Sequence, residues 1–222
     1  PFLQKRAVIA MKGIKMSENT FLKGRILPPL VKFALPLILS QLLQALYGAV
    51  DLIVVGQYST TADFSAVATG SQLMQGITGI IIGLTTGVTV LIGQAMGAGD
   101  SELSGKISAG MTKLLAAVSV LFFAVLMLFA PQALDLLEIP AEAKTAGVEY
   151  VRICTAGIFF ISAYNAISGL FRGVGDSKMP LVFILIACVF NIIGDLILVA
   201  VFDMGAAGAA IATAAAQGVS VI

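Results

Sequence analysis

Asp51 and Asp195 are acidic residues in parts of the chain that are otherwise almost entirely apolar. Asp51 lies in VKFALPLILSQLLQALYGAVDLIVVG, and Asp195 lies in MPLVFILIACVFNIIGDLILVAVF. Each segment is long enough to cross a bilayer, which takes about 20 mostly apolar residues. A carboxylate at that depth costs at least about 2.5 kcal/mol, and it usually faces a partner, a water-filled cavity or an ion path. We therefore treat both acids as candidate functional residues.

Polar residues accompany both aspartates at helical spacing. One stripe, at steps of 3, 4 and 3 residues, consists of Gln41, Gln44, Gly48 and Asp51. Asn191 lies four residues before Asp195 and shares its helix face, with Cys188 on the same side. A third polar face, in the last apolar segment, consists of Thr213, Gln217 and Ser220.

These faces are expected to meet at one depth in the membrane. At about 1.5 Å per residue, Asp195 lies roughly 12 Å below the outer end of its helix, and Thr213 lies about as deep. Carboxylate, amide and hydroxyl oxygens are hard ligands that suit a cation such as Na⁺. Two neighbouring carboxylates could instead carry protons as one coupled pair. A purely structural role, in which each acid caps a helix or bonds an Asn or Thr, stays open.

The composition is that of an integral membrane protein. Of 222 residues, 59% are hydrophobic and 11% are charged, against about 25% charged in soluble domains. The chain has no His, which excludes His-based proton relays and His metal sites. Cys154 and Cys188 lie in apolar runs and are expected to be small buried side chains rather than a disulfide. We expect no cofactor, no enzymatic activity, no metal beyond Na⁺ and no nucleic-acid partner.

Six apolar segments are predicted to be transmembrane helices in an all-α bundle. They run approximately over 31–56, 64–96, 106–131, 147–171, 180–202 and 205–222. Lysine and arginine are concentrated before the first segment and after the second and fourth, whereas acidic residues dominate the other loops. The positive-inside rule therefore predicts a cytoplasmic N-terminus in a multi-pass protein of the cytoplasmic membrane.

The two ends of the sequence suggest part of a longer protein. The chain opens on Pro1, although MSENTFLKGRI from Met16 resembles a natural start, and it closes inside an apolar helix. Residues 1–29 are basic and too polar for a cleavable signal peptide, so we expect a cytoplasmic segment there and a six-helix transmembrane lobe over 30–222.

Small residues predict close helix packing in two places. Gly79, Gly83 and Gly87 repeat at intervals of four in the second segment. The sixth segment, GAAGAAIATAAAQG, is built almost entirely of small residues. Both patterns favour close approach of neighbouring helices.

Together these residues resemble the multidrug and toxic compound extrusion (MATE) transporters, in particular the DinF-like branch. The resemblance rests on a first-helix proline fifteen residues before aspartate, Pro36 and Asp51, and on N-x-x-x-D at Asn191 and Asp195. It also rests on the sixth-helix Thr213 and on GQAMGAGD over 93–100. The loop RGVGDSKMP contributes Arg172, Gly173, Gly175, Asp176 and Pro180.

The resemblance implies one six-helix lobe of a twelve-helix transporter that exports organic cations and drugs in exchange for H⁺ or Na⁺. It implies that the family's cation site is formed here by Asp51, Asn191, Asp195 and Thr213. The partners implied are the lipid bilayer, small cationic or amphipathic substrates, and a second six-helix lobe from the same longer chain or from a second copy. Neither the substrate nor the choice between H⁺ and Na⁺ follows from the sequence.

Two further roles follow from residue type. Pro36 lies inside the first helix, where it removes a backbone hydrogen bond and favours a kink, so ion binding at the acids could repack this helix. Flexible apolar and amide side chains suit varied substrates. The candidates for a substrate cavity are Gln41, Gln44, Tyr47, Met74, Gln75, Tyr164 and Asn165.

Three other functions compete with efflux. The sequence Gly-Val-Gly-Asp at 173–176 matches the G-x-G-D of intramembrane aspartyl proteases, but Asp176 lies in a charged loop, where pairing with Arg172 and Lys178 is the simpler expectation. A lipid-linked saccharide flippase of similar architecture would favour a cationic cavity, whereas the buried charges here are acidic. A non-transporting membrane subunit is the third alternative.

Overall fold

The computed structural model describes residues 26–221, and these residues are almost entirely helical. The helices are α1 (Leu27–Tyr58), α2 (Thr61–Gly97), α3 (Ser101–Leu136), α4 (Lys144–Ala156), α5 (Ile158–Gly173), α6 (Lys178–Asp195) and α7 (Gly205–Val219). A 3₁₀ turn, Ala141–Ala143, precedes α4, and a π-helical segment, Leu196–Val201, continues α6. Most of the predicted N-terminal segment, residues 1–25, lies outside the described residues, and α1 begins before the predicted boundary at residue 30.

The predicted apolar segments are the helices of the bundle. By length and composition, α1, α2, α3 and α6 with its π-helical continuation can each cross a membrane. The fourth predicted segment is divided between α4 and α5, which meet at a bend of 46° and together make one further candidate span. The last helix, α7, has 15 residues. An all-α, multi-pass membrane bundle is confirmed.

The bend between α4 and α5 lies where the chain passes close to α7. A Cβ placed on Gly157, between the two helices, would lie 3.1 Å from the Ala214 Cβ and 3.3 Å from the Ala214 Cα. Similarly, a Cβ on Gly194 in α6 would lie 2.9 Å from the Ala212 Cβ. The small residues of α7 thus let α4, α5 and α6 approach it closely, as the sequence predicts.

The glycine repeat of α2 does not pack inside this bundle. Gly79, Gly83 and Gly87 are exposed, and a Cβ built on any of them would meet nothing within 4 Å. The prediction of close packing is wrong for this face among residues 26–221. Close contacts of α2 come from other positions, such as Gly70, where a Cβ would lie 2.5 Å from the Tyr150 ring.

Two turns at one end of the bundle share the same construction. In each, a glycine with positive φ follows one helix, and the next residue is an aspartate that caps the following helix. The two pairs are Gly99 (φ 77°) with Asp100, and Gly175 (φ 88°) with Asp176. Asp100 accepts a backbone N–H at 2.8 Å, and Asp176 accepts those of residues 178 and 179 at 2.9 and 3.3 Å. Positive φ strongly favours glycine. Asp176 therefore caps α6, and it makes no ion pair with Arg172 or Lys178.

At the opposite end, Asp63 connects the start of α2 to the start of α7. Its carboxylate accepts the hydroxyls of Ser59 at 2.7 Å and Thr60 at 2.6 Å. It also accepts the backbone N–H of Ala206 at 3.1 Å, across 143 residues of sequence. Both oxygens of this carboxylate therefore have donors, two at Oδ2 and one at Oδ1.

Candidate functional site

Three helices place the intramembrane acids together. Asp51 lies on α1, Asn191 and Asp195 lie on α6, and Thr213 lies on α7. These helices pack against one another because α7 offers almost no side-chain bulk at their contact. Asp51 is 4% exposed, and Asn191 and Asp195 are fully buried. The polar faces that the sequence predicts to meet do so inside the bundle.

Three of the four side chains are joined by hydrogen bonds, and Asp195 lies beside them. The Thr213 hydroxyl donates to Oδ2 of Asp51 at 3.1 Å, and the Asn191 amide donates to Oγ1 of Thr213 at 3.5 Å. The carboxyl group of Asp195 is a close neighbour of that of Asp51. Two carboxylates facing each other need a proton or a cation between them, because neither ionised group has a donor to offer.

Several buried oxygens at this site have no donor within residues 26–221. They are Oδ1 of Asp51, Oδ1 of Asn191, and both Oδ1 and Oδ2 of Asp195. Buried polar atoms in folded proteins are almost always partnered, so a group of unpartnered oxygens needs an explanation, of which a bound ion is one. Hard oxygen ligands of this kind fit Na⁺, and the facing carboxylates fit a shared proton.

Tyr47 belongs beside this group. It lies one helical turn before Asp51 on α1, and its buried hydroxyl is near Thr213 and Gln217 of α7. The sequence prediction placed Tyr47 in a substrate cavity, whereas the structure places it at the edge of the acidic site. The spacing of four residues between Tyr47 and Asp51 is the sequence signal that connects the two.

Four of the predicted cavity residues do surround one cavity, of about 140 Å³. They are Gln41, Gln44, Tyr164 and Asn165. The cavity is bounded by α1, α2, α5 and the start of α6, and Arg172 and Pro180 of the loop motif also line it. Met74 lies instead in the buried apolar core, and Gln75 is exposed.

Pro36 and Gly173 each shape a helix near this cavity. The α1 helix continues through Pro36, whose carbonyl accepts the Ser40 hydroxyl at 2.8 Å. A Cβ on Gly173 would lie 2.7 Å from Cγ2 of Ile92, so this glycine permits close contact between α5 and α2. Cys154 and Cys188 are buried and unpaired, as predicted.

The decisive comparison is with known protein families. The MatE family model matches residues 36–197, which include Pro36, Asp51, Asn191 and Asp195. The chain belongs to the MATE family. The resemblance stated from the sequence motifs is confirmed.

Relatives agree in sequence and in fold. The chain is 31% identical over 205 residues to the probable multidrug resistance protein YpnP of Bacillus subtilis, covering 92% of this chain and 46% of that one. Two solved structures of MATE proteins, in the straight and in the bent conformation, are each 25% identical, with TM-scores of 0.83 and 0.81. They cover 93% and 86% of this chain and 46% and 43% of theirs. This MATE chain therefore spans about half the length of those proteins, and its relatives bear the names of transporters rather than enzymes.

Proposed function

We propose that the protein containing this chain is a secondary multidrug exporter that moves organic cations or amphipathic drugs outward in exchange for Na⁺ or H⁺. Membership of the MATE family and the names of the relatives support export of drugs. Localisation in the cytoplasmic membrane, with the N-terminus inside, follows from the distribution of basic residues. The remaining half of the transporter would be a second six-helix lobe.

The observation that carries the proposal is the set of unpartnered buried oxygens around Asp51 and Asp195. A site that only stabilised the fold would be expected to satisfy its acceptors, as even the partly exposed carboxylate of Asp63 does with three donors. Asp51, Asn191, Asp195 and Thr213 are the residues that would hold the coupling ion. An ion or proton bound there would offset the mutual repulsion of the two carboxylates.

Binding at this site would change the packing of α1. Asp51 is on α1, while its partners are on α6 and α7, so neutralising the acids changes the attraction between α1 and the rest of the bundle. Pro36 lies fifteen residues earlier on the same helix and weakens its hydrogen-bond ladder there. We propose that α1 bends at Pro36 in response and that this movement expels the cargo.

The cargo would be bound partly by Gln41, Gln44, Tyr164 and Asn165. The cavity they line has about 140 Å³, whereas sites for drug-sized molecules usually have roughly 300–1,000 Å³. The cargo site must therefore extend beyond this cavity, and the exposed apolar residues of α1, such as Leu42 at 63% exposure, offer an adjoining surface.

The test is efflux of a cationic dye from membrane vesicles that contain the complete protein, with an imposed Na⁺ or H⁺ gradient. Gradient-driven efflux should be lost in Asp51→Asn and in Asp195→Asn, and the effective gradient identifies the ion. Asp100→Asn is the matched control, since it makes the same change at a helix N-cap where Asn serves as well as Asp. Wild-type rates in both buried-acid variants would refute the coupling role, and the absence of any gradient-driven transport would favour the flippase or subunit alternatives.

A further inference from the structure

The cavity next to Arg172 has a chemistry opposite to that of the acidic site. Arg172 is half-buried in the last turn of α5, and its Nε donates to the Ser168 carbonyl at 3.3 Å. Within the described residues it makes no ion pair with a carboxylate, and no Asp or Glu from residues 26–221 lines the cavity. A guanidinium that is partly removed from water without a neighbouring negative charge is destabilised, and binding an anion would offset that cost.

Polar groups around Arg172 are arranged to receive such an anion. Ser168 is one of the residues that line the cavity and is 2% exposed, and its buried hydroxyl has no hydrogen-bond partner among the described residues. Gln41 and Gln44 of α1 also line the cavity, and their side-chain amides are able to donate hydrogen bonds. Among residues 26–221, Arg172 donates a hydrogen bond through Nε alone, so its terminal N–H groups remain free to bind a ligand.

The position of Arg172 in the bundle indicates which anions are present near the cavity. Arg172 lies at the end of α5 and Pro180 in the first turn of α6, so this part of the cavity is at the end of the bundle where those helices meet the loop, whereas Gln41 and Gln44 lie 14 and 17 residues after the start of α1. This end also carries Lys178 and belongs to the basic side of the sequence, which is the level of lipid head groups in the cytoplasmic leaflet. Basic pockets between transmembrane helices on this side are suited to phosphate head groups.

We propose that the end of this cavity at Arg172 is a binding site for a phosphoryl oxyanion, held by Arg172 with Ser168 one helical turn before it. Gln41 and Gln44, proposed above as cargo contacts, line the same cavity, so an anion at Arg172 would compete with the cargo for this space. A volume of about 140 Å³ accommodates a compact phosphate group, although it is too small for a drug-sized molecule. Arginine binds phosphate through parallel N–H bonds that a lysine cannot reproduce. Because α1 forms one wall, an occupied site would tie α5 to the segment of α1 just after Pro36.

The source of the phosphate is either a phospholipid head group or free phosphate, and one experiment separates them. The complete protein, purified in detergent, is incubated with dioleoylphosphatidylglycerol, with inorganic phosphate, or with the phosphate-free lipid monogalactosyldiacylglycerol, and retained ligand is measured by native mass spectrometry. We expect phosphatidylglycerol to be retained in preference to the galactolipid. Saturation by inorganic phosphate alone would assign the same site to a soluble anion.

Two charge-matched substitutions test the residue assignment. Arg172→Gln should lower retention by about tenfold or more, the effect expected from losing hydrogen bonds between charged groups. Lys178→Gln removes the same charge six residues later, from an exposed residue that does not line the cavity, and should retain ligand as the wild type does. Arg172→Lys should give intermediate retention, which guards against loss of folding as the cause. This test is independent of efflux and of the acids.

Three results would overturn the proposal. One is equal retention of the galactolipid and phosphatidylglycerol with no binding of inorganic phosphate. Another is an equal loss in Arg172→Gln and Lys178→Gln, which would indicate general attraction to the basic surface. The third is wild-type retention in a folded Arg172→Gln variant.

Discussion

Replacing Asp195 by asparagine should abolish coupling and at the same time stabilise the protein. Both oxygens of Asp195 are buried without a donor in the described structure, and they face the carboxyl group of Asp51. The amide introduced by Asp195→Asn keeps the shape of the side chain and adds an N–H₂ group, which can donate to the unpartnered Oδ1 of Asp51. A structural role and a coupling role thus predict opposite signs for the change in stability.

The size of the effect follows from the unpartnered atoms. Leaving a buried polar group unsatisfied costs about 1–3 kcal/mol, more if it is charged, so relieving one such group should stabilise by about that amount. About 1 kcal/mol corresponds to a shift of roughly 2–4 °C in the unfolding midpoint for 150–250 residues, and to about half that for a complete protein of twice this length. We therefore expect the midpoint of Asp195→Asn to rise by about 1–6 °C without added Na⁺.

The assay is thermal unfolding of the complete protein in detergent at pH 8, in a buffer free of Na⁺, for wild type and variant. Asp63→Asn is the matched control because it makes the same acid-to-amide change where every partner is a donor. An amide there has one acceptor oxygen in place of two for the same three donors and loses the negative charge, so this control should lower the midpoint. If Asp195→Asn also lowers it, the acidic site stabilises the fold and the reasoning from unpartnered oxygens is wrong.

Three further predictions concern single contacts. Thr213→Val removes the hydroxyl bound to Asp51 and should raise the ion concentration for half-maximal Na⁺-driven efflux by about 10- to 150-fold. The control Thr86→Val loses only a bond to its own helix and should leave that concentration unchanged. Equal values for the two variants would exclude Thr213 from the site. Gly173→Ala places a methyl group 2.7 Å from Cγ2 of Ile92 in α2 and should destabilise the folded protein by about 1–3 kcal/mol, measured by thermal unfolding. Gly110→Ala, with open space around it, should leave the stability unchanged or raise it. Pro36→Ala restores the helical hydrogen-bond ladder and should slow efflux at unchanged ion affinity, and an unchanged turnover rate would show that α1 does not bend there.

The sequence was sufficient for the membrane architecture and for most of the acidic site. Long apolar segments, interrupted by charged loops, have few structures open to them in a bilayer, because every backbone group must be bonded within its own helix. Asp51, Asn191, Asp195 and Thr213 were predictable because a charge in such a segment is costly and because helical periodicity puts residues four apart on one face. Their depth along each helix then restricted which residues could meet.

Other features were decided by tertiary structure alone. The glycines at 79, 83 and 87 predict close packing, yet they lie exposed, because a small-residue face only permits approach and does not specify a neighbour. The bend at Gly157 depends on the closeness of Ala214, which is remote in sequence. Tyr47 and Asp63 likewise acquire their roles from partners on α7.

Tertiary structure also decided which polar groups are partnered and which are not. Composition and periodicity identify which side chains are expensive to bury, and so they point to Asp51 and Asp195. They do not show whether a buried group is partnered, since that depends on donors from other helices. Only the packed structure shows that Asp63 is satisfied, that Asp195 is not, and that Arg172 faces a cavity without a carboxylate.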